Sequence, residues 1–120
     1  MKIETTILKN LLQNEDYARK VLPFLNDEYF TENSDKIIYN QINNFILKYN
    51  SLPNKEALNI ELSEAKITEE DFKESVNLIN EIGKDDQEFS DLSWLLDSTE
   101  KFCQDKAIYN AVVESISILD

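Results

Sequence analysis

Histidine is absent from the 120 residues, and cysteine and glycine occur once each, as Cys103 and Gly83. Without histidine, the common zinc patterns and any histidine-assisted nucleophile are excluded. A lone cysteine rules out an intrachain disulfide, and Cys103 reads as a small buried apolar residue. One glycine cannot build the Gly-rich loop that cradles a nucleotide triphosphate. With two prolines, Pro23 and Pro53, the chain also offers few turns of the kind β-hairpins need. No apolar run approaches the length that crosses a membrane. The start, Met1-Lys2-Ile3-Glu4, puts an acid where the apolar core of a secretory signal belongs, so a cytoplasmic protein is expected.

Basic residues are scarce relative to acids: twelve against twenty-four, for a formal net charge of −12. Nucleic-acid binding is driven largely by cations that displace counterions from phosphates, and this surface offers the opposite field. Direct contact with DNA or RNA is therefore not expected. The same field would steer a basic partner inward, although acidity also simply keeps a protein soluble. The length suits one domain with a modest core, spanning 1–120.

Apolar residues recur at three and four positions, not at two, which predicts an all-α chain: a small orthogonal bundle of about six helices. Ile3, Ile7, Leu8, Leu11 and Leu12 make a first amphipathic stretch ending near Asn14. Asn14 can cap a second, short helix with Glu15 and Asp16 in its first turn and Tyr17, Val21 and Leu22 inside, stopped by Pro23. Asn26 or Asp27 opens a single turn carrying Tyr29 and Phe30. Asn33 or Ser34 is the expected cap of a longer helix with Ile37, Ile38, Ile42, Phe45, Ile46 and Tyr49 on one face. Asn54 can cap a helix containing Ala57, Leu58 and Leu62. Thr68 ahead of Glu69, Glu70 and Asp71 starts another, with Phe72, Val76, Ile79 and Ile82 inside and Gly83 as its left-handed terminator. Lys84 to Asp91 reads as a polar, mobile loop.

The last helix, from about Asp91, carries two stripes. One runs through Leu92, Leu95, Leu96, Phe102, Cys103, Tyr109, Val113 and Ile116, the other through Trp94, Ile108, Val112 and Leu119. From Ala107 onward only a narrow polar face remains, and a helix apolar nearly all round needs burial on more than one side. One side can be the domain's own core. The other needs a second subunit or further chain, unless both stripes are buried within this domain. Ile108, Val112, Ile116 and Leu119 are the candidate subunit or hairpin surface.

No catalytic, cofactor-binding or metal-ligating set stands out. The acids at Glu69-Glu70-Asp71 and Asp85-Asp86 sit at a helix start and in a loop, whereas helix-bundle metal sites turn acids inward on facing helices. Neither run matches a calcium-binding hand. The chain alone is not expected to be an enzyme.

Several short segments share an order with one family. They are Leu12-Gln13-Asn14-Glu15-Asp16-Tyr17, Asp27-Glu28-Tyr29-Phe30, Leu52-Pro53 with Ala57-Leu58-Asn59, and Ser93-Trp94-Leu95 with Thr99-Glu100-Lys101 and Ala107. In that order and spacing the chain resembles the amino-terminal domain of DnaB-type hexameric replicative helicases, nearest to those of T-even-like bacteriophages. The resemblance runs from Ile7 to about Val113. It implies a helical bundle followed by a helical hairpin, forming a collar on the ring of motor domains. It also implies contacts with other helicase subunits, with primase in the primosome and with a helicase loader. The ATPase motor of that family lies in its carboxy-terminal domain, and this sequence stops at Asp120, before any motor. Residues 107–120 would then begin the hairpin. The alternative is a free-standing acidic helical adaptor or inhibitor that presents carboxylates to a basic nucleic-acid-binding protein. A small enzyme is a distant third.

Overall fold

Short polar residues ahead of the apolar runs fix where most helices begin. Asn14 Oδ1 accepts from the Tyr17 N–H at 3.1 Å, Asn54 Oδ1 from Ala57 at 2.7 Å and Thr68 Oγ1 from Asp71 at 3.1 Å. Asp91 Oδ1 likewise accepts from the Trp94 N–H at 3.0 Å. Each satisfies one of the N–H groups that a helix start leaves without a partner, worth about 1 kcal/mol. The computed structural model describes residues 2–84 and 91–119. Its helices are α1 (Ile3–Gln13), α2 (Glu15–Val21), α3 (Asn33–Tyr49), α4 (Lys55–Glu64), α5 (Glu69–Ile82) and α6 (Leu92–Leu119). Two 3-10 turns, Leu22–Phe24 and Asp27–Tyr29, connect α2 to α3, the second capped by Asn26 through the Glu28 N–H. Among the described residues there is no strand, as the all-α expectation requires. The expected mobile loop falls mostly on residues 85–90, which lie outside the described residues.

Three local expectations are corrected. The cap of α3 is Glu32, not Asn33 or Ser34, and its side chain makes no capping bond. Phe30, buried two residues earlier against Tyr39 and Phe102, sets where the chain turns into α3, and its burial outweighs the modest worth of a cap. Gly83 closes α5 in a right-handed conformation, φ −85° and ψ 0°, so its role is room rather than handedness. A Cβ there would lie 2.8 Å from the Ile79 carbonyl oxygen and 3.1 Å from the Lys55 side chain. The left-handed cap is instead Asn50, φ 54°, which ends α3; asparagine tolerates that region better than most side chains. On α3, Phe45 and Tyr49 leave the inner face and pair with each other, ring centroids 4.7 Å apart, with Tyr49 exposed. Tyr39 is buried in their place.

α1 lies among α2, α3, α5 and α6 and buries Ile7, Leu8 and Leu11 completely. Leu58 and Leu62 of α4 and Ile79 and Ile82 of α5 complete that side of the core. Each such side chain contributes roughly 1.5–3 kcal/mol relative to exposure. Gln13, at the end of α1, donates through Nε2 to the carbonyls of Ile82 at 2.7 Å and Lys84 at 3.2 Å, satisfying the end of α5.

The first half of α6 closes the opposite side with Leu95, Phe102 and Cys103. Cys103 is the small buried apolar residue that was expected, and burial pushes its thiol up to about 11. Phe30 joins the layers: it stacks on Tyr39 of α3 at 5.5 Å and meets Phe102 of α6 at 5.7 Å. The Tyr39 hydroxyl donates to the Leu25 carbonyl at 3.1 Å.

A buried polar pair fixes α6 against α2. Thr99 Oγ1 donates to the Leu95 carbonyl at 2.7 Å. Its single proton being used there, the Tyr17 hydroxyl donates to Thr99 Oγ1 at 2.6 Å. Burial pushes the Tyr17 hydroxyl well above its ordinary range, which keeps it protonated as a donor.

Thr99→Val keeps the volume but leaves the Tyr17 hydroxyl buried and unpaired. It is expected to lower stability by about 1–3 kcal/mol in urea unfolding, and Tyr17→Phe by less, because Thr99 keeps its bond to Leu95. Gly83→Ala is expected to cost about 1 kcal/mol or more in the same assay, because the new methyl meets backbone. An unchanged midpoint would mean that α5 ends without needing that space.

Candidate functional site

α6 is 28 residues long, about 42 Å at 1.5 Å per residue, in a molecule whose longest dimension is 45 Å. The radius of gyration, 14.8 Å, exceeds the roughly 13.6 Å of a compact domain of this length. The helix outruns the bundle. Its last tethers to the body are at the segment around the second 3-10 turn. Lys106 Nζ lies 3.4 Å from Thr31 Oγ1, and Asn110 Nδ2 donates to the Glu28 carbonyl at 3.0 Å. Beyond Asn110 the described hydrogen bonds stay within the helix, as in Ser115 Oγ to the Ala111 carbonyl and Ser117 Oγ to that of Val113.

Ile108, Tyr109, Val112, Val113 and Ile116 are between 43% and 64% exposed. Three of the four candidate residues, Ile108, Val112 and Ile116, thus lie together on an uncovered apolar surface. Leu119 is the last residue of α6, and its side chain lies outside the described residues. The first stripe changes environment along the helix. It is buried or half-buried from Leu92 to Cys103, and Tyr109, Val113 and Ile116 are exposed. Burial of both stripes within the domain is overturned by the same observation. Among the described residues the body reaches along α6 only as far as Asn110, and none of them packs on the helix beyond it.

Tyr109, Val113 and the small Ala111 therefore belong to the same uncovered surface, although the first two share a stripe with the core residues Leu95, Phe102 and Cys103. Trp94, at the other end of the helix, is also exposed. None of the described helices is long and apolar enough to cross a membrane. Among the described residues no group of three or more His, Cys, Asp or Glu side chains is placed to hold a metal ion.

A second feature lies away from α6. Asp35, in the first turn of α3, shares the inner face with Ile38 and Ile42 and is only 7% exposed. Sequence reading missed it, although its spacing of three and seven from two core isoleucines was the available signal. It has neither an ion pair nor a hydrogen bond among the described residues. Burial, then Glu4, Glu32 and Glu81, push its carboxyl up to about 6, against a weaker opposing effect of Lys2. A carboxyl that binds its proton more tightly folded than unfolded loses stability for the fold as pH rises between the two values. Here the loss begins near pH 3.8 and is complete above about pH 6. Asp35→Asn is expected to remove that slope from the pH dependence of urea unfolding. At pH 7 it should stabilise by about 1–2 kcal/mol, net of the carboxylate's favourable place at a helix N-terminus. A variant whose stability follows the parent's pH profile would show that Asp35 ionises freely.

No family model matches the chain. Over 112 residues, 93% of its length, it is 32% identical to the DnaB-like replicative helicase of Enterobacteria phage T4. The chain spans 23% of the length of that relative. Nearly the whole of this helical chain therefore resembles a DnaB-like replicative helicase, with the match confined to under a quarter of the larger protein.

Proposed function

We propose that this chain is the non-catalytic amino-terminal collar domain of a phage replicative hexameric DNA helicase, acting in DNA replication by protein–protein contact. The observation that carries the reading is the uncovered apolar end of α6 in a chain similar to a helicase over 93% of its length. Residues 1–120 form the domain, and 107–120 begin the hairpin that links it onward. The ATP-dependent motor belongs to a separate part of the parent protein. Other helicase subunits cover the surface of Ile108, Val112, Ile116 and Leu119, and primase and a helicase loader are the further partners, in the host cytoplasm. Neither cofactor nor direct nucleic-acid contact enters the domain's own work.

Physical chemistry supports a covered helix end. Val112, Val113 and Ile116 are β-branched and lower helix propensity, and turns with no tertiary packing have little else to hold them. Apolar packing against another helix supplies both what the turns lack and what their side chains need. The net charge of −12 favours the acidic-adaptor reading only to the extent that binding is electrostatic; such binding weakens steeply with salt, whereas apolar association does not.

Val112→Asp places a charge at the centre of the surface and is expected to weaken self-association at least tenfold in sedimentation velocity. Far-UV circular dichroism should change little, since the bundle ends before this residue. A parent chain that stays monomeric at high micromolar concentration would remove these residues as a subunit interface.

A further inference from the structure

Beside α6, ahead of its uncovered end, lies a recess of about 310 Å³ lined by Ile3, Ser98, Lys101, Phe102, Asp105 and Lys106. Ile3 is the half-buried first residue of α1 and Phe102 belongs to the core, so two helices build an apolar floor. Ser98, Phe102, Asp105 and Tyr109 follow one another at spacings of four, three and four, which puts them on one face of α6. The recess thus lies in line with the exposed Tyr109, and Lys106 Nζ is 5.8 Å from the centre of that ring. Lys101 precedes a residue of this seam and Lys106 follows one, so at about 100° per residue they flank it on opposite sides. Lys101 is paired with Asp105 at 3.5 Å, but both side chains are mostly exposed. Such a pair is worth little and is readily exchanged. Acids outnumber bases two to one along the chain, yet two lysines and one carboxylate border this recess. The local balance is the reverse of the global one.

We propose that this recess seats an acidic amphipathic helix from a partner protein. One apolar side chain of that helix enters between Ile3 and Phe102, Tyr109 supports the next turn, and flanking acids meet Lys101 and Lys106. From Ser98 to Tyr109 the seat is about 17 Å long, enough for about three helical turns. A second copy's α6 lacks the charges for it. Were its Ile116 laid antiparallel beside Phe102, its Val112 and Ser117 would lie opposite Lys106 and Lys101, and neither is acidic. The seat uses the part of α6 that the bundle supports and does not draw on Val112, Ile116 or Leu119. It therefore stands whether or not those residues form a subunit surface.

The test is fluorescence anisotropy of a labelled, end-capped peptide of about 15 residues, titrated with the whole chain. The peptide carries leucine at the a and d positions of its heptads, glutamate at e and g, and alanine elsewhere. A control has lysine in place of glutamate. Ionic strength is held at about 0.15 M, where charges more than about 8 Å apart are largely screened and contact pairs still act. The glutamate peptide is expected to bind about threefold or more tighter than the lysine peptide, although a net charge of −12 favours the lysine one. Lys101→Glu, at an exposed position, should weaken the glutamate peptide about fivefold to tenfold, and Asp105→Asn should tighten it about twofold. Replacing its leucines by alanine should abolish binding, because the recess is filled by an apolar side chain. Tighter binding of the lysine peptide would overturn the assignment, since the general acidity of the chain would then govern. So would an unchanged affinity in Lys101→Glu, or displacement of the peptide by short single-stranded DNA, which would make the lysines a phosphate site.

Discussion

The buried hydrogen bond from Tyr17 to Thr99 ties α6 to α2 at a point where neither group has water to fall back on. Phe102, one turn further along, meets Phe30 and through it Tyr39 of α3. These contacts fix the direction of the helix over its first half. A helix is stiff, so the direction of its second half follows without contacts of its own. The body then stops at the 3-10 turn Asp27–Tyr29, where Asn110 makes the last tether. An apolar surface is thus held out from the bundle in a defined orientation, by interactions made well before it.

That arrangement separates two energetic tasks. Stability comes from a core centred on Ile7, Leu8 and Leu11, and changes there alter folding. The end of α6 contributes little to the core, so its apolar residues add almost nothing to the stability of the isolated domain while exposing surface to water. Such residues are costly for solubility unless something covers them. On the proposed reading the covering is a neighbouring subunit. Part of the free energy released on packing goes into fixing exposed side chains, which makes the affinity lower than the contact area alone suggests.

Local chemistry was the most legible part of the sequence. Asn14, Asn26, Asn54 and Thr68 cap the elements they were expected to cap, because each needs only the N–H groups two or three residues ahead. Expectations failed where a distant residue decides. The start of α3 answers to Phe30 in the core. The requirement for Gly83 comes from Lys55 of another helix as well as from Ile79. The apolar period of α6 was readable along its whole length, yet periodicity says which residues share a face and nothing about where the covering body ends. Tyr109 and Val113 share a stripe with core residues, yet the core stops short of them. Asp35 escaped for the converse reason: an acid in a first helical turn reads as a dipole partner, and only the approach of α1 and α5 makes it buried.

The α6 surface is apolar and gains from excluding water, so on the proposed reading its association should tolerate salt and weaken on cooling. A chain at −12 repels its own copies at long range. If subunits meet through α6, as proposed, their apolar contact has to overcome that repulsion. Salt then favours the contact, because it screens the repulsion and leaves the exclusion of water intact.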